Sequence, residues 1–123
     1  MKTPPTPPIE PAASRLIYGC MGLGGGWNQD PLQAEHIAHA QAAVEAALDI
    51  GITLFDHADI YTLGKAEQCF GELFKQQPGL RHRMQLQTKC GIRFADASGP
   101  KRYDLSATHI IESVHASLRR LHT

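Results

Sequence analysis

Three short apolar runs, each followed by a stretch of helical periodicity, constrain the fold of this chain more than any other feature. The runs are Arg15 to Met21, Ile52 to Phe55 and Met84 to Thr88. Each run with its following helix takes the length of a βα unit, and right-handed crossovers would set three parallel strands side by side. The loops from Gly22 to Asn28, from Asp56 to Gly64 and from Lys89 onward then open on one face. In α/β proteins binding and catalysis collect at that face.

The helices have readable punctuation. Asp30 followed by Pro31 is a helix start, because the carboxylate can cap free amides and proline suits the first helical position. Ile37, Ala40, Val44, Ala47 and Leu48 then form one apolar stripe, and Gly51 closes the helix. The second stripe is Ala66, Phe70, Leu73 and Phe74, stopped by Pro78 and Gly79. Ser106 can cap a third helix whose apolar side is Ile110, Val114, Leu118 and Leu121. His36 and His39 neighbour each other on the first helix, but without cysteine or carboxylate support they are read as surface residues and not as metal ligands. Between the last strand and helix, Gly91 to Asp104 is a polar loop long enough to face a substrate.

With 123 residues the chain holds one domain, and 12 basic side chains balance 12 acidic ones. That balance offers no net field to nucleic acid or an anionic membrane, so neither is an expected partner. Cys20, Cys69 and Cys90 are odd in number and lack C-x-x-C spacing, which excludes a disulfide framework or thiolate zinc site as readings. Reduced thiols suit a cytoplasmic protein. Residues 1–14 hold most of the prolines and read as a disordered leader with neither signal peptide nor anchor, leaving 15–123 as the folded part.

Chemistry-bearing residues gather at the strand ends. The glycines after the first strand suggest phosphate binding, yet Trp27 stands where G-x-G-x-x-G needs its last glycine, so they read better as a tightly turned loop. Asp56 ends the second strand, Tyr61 follows in the same loop, and Lys89 ends the third. A phenol is a poor acid near neutral pH unless a neighbouring cation lowers its pKa, and a lysine held by an aspartate is such a neighbour. Asp59, mid-loop, is the rival to Asp56. Spacing alone leaves open whether these are ordinary loop residues. Cys90 reads as buried packing, and Lys101, Arg102 and Tyr103 as solvated residues.

The run FDHADIYTLGKAEQCFGE resembles the aldo-keto reductase signature F-D-T-A-x-x-Y-G-x-G-x-x-E through Phe55, Asp56, Ala58, Tyr61, Gly64 and Glu67. QTKCGI resembles that family's third-strand lysine segment, and bacterial reductases carrying D-H-A-D-I-Y are similar to this chain. His57 and Thr62 depart from the usual Thr and Gly, and Gly22 stands where a common variant has Thr. The resemblance implies a (β/α)8 barrel of which the first three βα units are present. It implies carbonyl reduction with NADPH, or NADH, on a small-molecule substrate, with Asp56, Tyr61 and Lys89 as three of four catalytic residues. Met21, Gly22 and Asp56 would meet the nicotinamide, and Leu23 and Trp27 the substrate. No metal is implied, and the oligomeric state is left open.

The family's fourth catalytic residue is a histidine past the fourth strand, and His122 stands too early for it. The clamp for the adenosine phosphate also belongs to the later barrel. Three strands cannot close a barrel of about 250 residues, so inward side chains such as Leu54 are expected to lack facing partners and the isolated chain to be marginal and inactive. A non-catalytic βα fragment, or a pseudoenzyme that senses nicotinamide, is the competing expectation.

Overall fold

The computed structural model describes residues 13–123. The expected leader falls mostly on residues 1–12, outside the described residues, while Ser14 is already tied in: Thr53 donates its amide to Ser14 Oγ at 2.9 Å, and Ser14 donates its own to Thr53 Oγ1 at 3.2 Å. Three parallel strands, β1 (Ile17–Gly19), β2 (Leu54–Asp56) and β3 (Gln85–Gln87), pair in the order β1-β2-β3. Their register puts Gly19, Asp56 and Gln87 on one rung. Helices α1 (Ala34–Asp49) and α2 (Lys65–Gln76) link them, and α3 (Ala107–Leu121) follows the third strand.

Strand alternation divides the sheet into two chemistries. Phe55 points to the helices and is fully buried, ring against ring with Phe70, which in turn meets Phe74. Ala66, Phe70, Leu73 and Phe74, the stripe foreseen for α2, are all buried in the same core cluster. Leu54 and Asp56, on the other face of β2, are only half-buried. The first helix starts later than Asp30-Pro31 suggests. Asp30 sits in a turn donating to Asn28 Oδ1, while Gln33 is the cap and its amide donates to His36 Nδ1 at 3.1 Å. A histidine ring thus finishes the helix start, so His36 is no idle surface residue.

At its other end α1 stops as expected. Gly51 takes φ of 85° and donates to the Leu48 carbonyl, a left-handed cap that a residue with a Cβ adopts at a cost. Ser106 caps α3 by accepting from the His109 amide at 3.2 Å. Ser106→Ala is expected to cost about 1 kcal/mol, read as a lowered denaturant midpoint with unchanged slope.

Three expectations need correction here. The polar loop from Gly91 to Asp104 holds an antiparallel pair, β4 (Ile92–Arg93) with β5 (Arg102–Tyr103), pinned where Arg93 bridges Asp96 and Asp104. Helix α3 also turns a different face inward. Ser113, Ser117 and Leu121 are buried, whereas Val114 and Leu118 are 47% and 43% exposed. That inner face meets α2, where Ser117 Oγ and Arg120 Nε donate to the buried Glu67 carboxylate. The exposed stripe instead borders a groove beside Thr88, Lys89 and Cys90. Cys90 is itself exposed, contrary to the packing role expected of it. Among the described residues no helix is long and apolar enough to cross a membrane.

Candidate active site

The open end of the sheet brings Asp56, Tyr61 and Lys89 together. Lys89 Nζ lies 2.8 Å from both Asp56 carboxylate oxygens, donates to the His57 carbonyl at 2.6 Å, and stands 5.0 Å from the centre of the Tyr61 ring. Partial burial works against the charged form of Lys89. Hydrogen bonds and charge from Asp56, then Tyr61, outweigh it and hold the lysine pKa above its ordinary value. An ammonium so held is a fixed positive charge beside a phenol.

A fourth residue belongs to this group and escapes the motif. Gln87 donates from Nε2 to Asp56 Oδ1 at 2.8 Å, so the carboxylate is held both from the last residue of β3 and from Lys89 just beyond it. The signal was its place two residues before Lys89, on the same strand face.

Backbone geometry fixes the tyrosine. Directly after it, Thr62 and Leu63 take φ of 47° and 56°, a region that β-branched residues such as threonine rarely enter. The buried Thr62 hydroxyl offsets that strain by donating to the Leu23 carbonyl at 2.7 Å, which ties the glycine loop to the tyrosine turn. Where the signature has glycine, this chain has a threonine that uses the glycine-like conformation and adds an anchor.

The other candidates separate. Met21 is 56% exposed and Gly22 is open, with nothing near the position a Cβ would take. Both follow β1 beside Asp56, whose carbonyl accepts from the Cys20 amide. The two form an open ledge next to Asp56. Trp27 is half-exposed and meets Tyr61 edge-on, with ring centres 6.5 Å apart. Leu23 does not face an open site. Its side chain is 2% exposed within the core cluster, drawn in by the turn its carbonyl helps to close. Asp59 donates its backbone amide to the Lys89 carbonyl at 3.0 Å, but it lines a separate cleft of about 420 Å3 with His109 and Arg120, where burial first and the charge of Glu67 second raise its pKa. No group of three or more His, Cys, Asp or Glu among the described residues could hold a metal.

His57 is fully buried, its ring 4.3 Å from that of Phe70 and its nitrogens without a hydrogen-bond partner among the described residues. Burial lowers its pKa from 6.5 to about 4, against the raising effect of Glu67 and Asp56. The unfolded chain therefore binds a proton here that the fold refuses between those values. Stability from this group is complete above pH 6.5 and is lost as pH falls toward 4, by about 2 kcal/mol at pH 5. Equilibrium denaturation at pH 7 and pH 5 measures it, and His57→Phe is expected to flatten the difference.

Residues 15–123 match the family model described as Aldo/keto reductase family. The chain is 43% identical over 115 residues to a 6-dehydroglucose reductase of Agrobacterium fabrum, covering 89% of this chain and 36% of that one. It is 38% identical over 120 residues to the oxidoreductase YdhF of Escherichia coli, covering 94% and 37%. Among solved structures, the aldo-keto reductase AKR11C1 of Bacillus halodurans, in a holo form, superposes with a TM-score of 0.66 at 34% identity, over 90% of this chain and 33% of that one. An aldo-keto reductase of Klebsiella pneumoniae in complex with NADPH gives 0.60 at 26% identity, over 87% and 31%. The chain thus spans about a third of the length of the curated relatives it matches. The family match and these likenesses lead to one conclusion: the chain belongs to the aldo/keto reductase family and carries the first three βα units of its (β/α)8 barrel.

Proposed function

We propose that this chain contributes the proton-donating half of a nicotinamide-dependent carbonyl reductase. The observation that carries the reading is Lys89 held by both oxygens of Asp56 while its ammonium stands 5.0 Å from the Tyr61 ring centre. Hydride for the carbonyl carbon is what a reduced nicotinamide supplies when bound, on the ledge of Met21 and Gly22 beside Asp56. The remaining steps belong to the protein. Tyr61 gives its hydroxyl proton to the carbonyl oxygen as that oxygen gains charge, and Lys89 stabilises the phenolate left behind. Asp56 and Gln87 keep the lysine in place, and Trp27 borders the substrate.

The holo and NADPH-bound states of two structural neighbours favour a nicotinamide cofactor. Two relatives are named 6-dehydroglucose reductase, so oxidised sugars are the first carbonyl substrates to try. The test takes the protein that carries this chain, purified, with NADPH, and in parallel NADH, plus a reactive aldehyde, following nicotinamide absorbance. Oxidation that depends on aldehyde supports the reading. Quenching of Trp27 fluorescence without turnover would favour a cofactor-sensing module instead, and no quenching a non-catalytic βα fragment.

A further inference from the structure

We propose that Glu67 is a positioning residue for Lys89, acting through Thr88. The inference rests on the reductase reading for its catalytic consequence, but its geometry stands apart from that reading. Glu67 is 0% exposed, and a carboxylate without water survives only when its oxygens are filled by donors. Oε1 accepts from Thr88 Oγ1 at 2.7 Å and from Ser117 Oγ at 2.9 Å, and Oε2 accepts from Arg120 Nε at 2.8 Å. Two of these donors come from α3. The third comes from the residue directly before Lys89.

Strand alternation gives that third bond its meaning. Gln87 and Lys89 reach Asp56 on one face of the strand end, so Thr88 points to the opposite face, where Glu67 waits. Backbone bonds from the His57 amide to the Gln87 carbonyl and from the Asp59 amide to the Lys89 carbonyl fix the strand end toward β2. They resist sliding but leave rotation about the strand axis comparatively free. A hydroxyl anchored to a buried charge resists that rotation, and rotation is the motion that would swing Lys89 away from Asp56 and Tyr61. The carboxylate thus links three elements, α2, α3 and the end of β3, at the point where catalytic geometry is set.

The test compares Thr88→Val, Thr88→Ser and Ser117→Ala in the protein that carries this chain. Thr88→Val keeps shape and removes the donor; Thr88→Ser keeps the donor; Ser117→Ala removes a donor from the same Glu67 oxygen on the α3 side. Each is read by thermal melt, by kcat and KM with NADPH and aldehyde, and by NMR titration of the Lys89 side chain. Thr88→Val is expected to lower kcat about tenfold or more, as a misplaced catalytic group does, with KM little changed. Its Lys89 titration should move down toward ordinary lysine, and Thr88→Ser should restore both. Ser117→Ala should lower the melting temperature and leave the Lys89 titration in place.

Equal effects of Thr88→Val and Ser117→Ala on Lys89, or none from either, overturn the proposal. Should the unmodified protein reduce no carbonyl, the reductase reading fails while the lysine titration still decides the tether. If Thr88→Val does not fold, Thr88→Cys takes its place, since a thiol fills the volume and donates only weakly.

Discussion

Replacing Tyr61 with phenylalanine is expected to lower the rate of carbonyl reduction by about 10²- to 10⁴-fold, the range a positioned proton donor contributes. The ring and its edge-on contact with Trp27 are retained, so the change removes one hydroxyl and little packing. Quenching of Trp27 fluorescence by NADPH should survive, because the open ledge of Met21 and Gly22 is untouched. Lys89→Met should fall in the same kinetic range for a different reason. It strips the cation from the phenol and leaves the Asp56 carboxylate with Gln87 as its remaining hydrogen-bond donor there. If Tyr61→Phe retains more than a tenth of the activity, proton donation belongs elsewhere and the proposed chemistry is wrong.

The second large effect is on stability. Gly71 lies in α2 where a Cβ would collide with the Arg120 carbonyl and come within 2.7 Å of the His122 ring. The carbonyl is backbone in the last turn of α3 and cannot swing aside like a side chain, because Arg120 Nε and Ser117 Oγ are both held by Glu67. Alanine in a helix interior gains roughly 0.5–1 kcal/mol over glycine, but overpacking against fixed backbone costs about 1–3 kcal/mol and occasionally more. Gly71→Ala is therefore expected to lose about 2 kcal/mol net, a drop in melting temperature on the order of 10 °C. Gly79→Ala is the matched control. Nothing lies near its added methyl and its φ is −74°, so it should be neutral or slightly stabilising. Similar melts for the two variants would mean that α2 and α3 do not pack as closely as described.

Why α2 was legible and α3 was not is a matter of what each helix meets. The apolar stripe of α2 packs directly on Phe55 of the sheet, so helical periodicity named its buried residues. Helix α3 packs against a helix carrying an inward carboxylate, and Ser117 donates to it from a face the apolar stripe does not name, while Val114 and Leu118 stay half-exposed. Hydrophobic pattern reads burial of apolar atoms, and it is blind to a buried charge that recruits hydroxyls. The same blindness hid Gln33 and His36 at the start of α1, where a ring nitrogen does what an aspartate was expected to do. In the site, Asp56, Tyr61 and Lys89 could be named because a motif carries them. Gln87 and Thr88 could not, because their importance comes from the strand faces they share with or oppose to Lys89, visible once the register is known.

Ser14 and Thr53 close a small clasp at the entrance to β2. Cutting the polypeptide after Ser14, or fusing a bulky tag between Ser14 and Ile17, would take away or displace the oxygen that the Thr53 amide uses. That strand would then fray from its first residue, two rungs behind the aspartate on which the lysine depends. Trimming for expression should stop upstream of Ala13, and a loss of turnover in shorter versions would report a loosened hinge pin far from the chemistry.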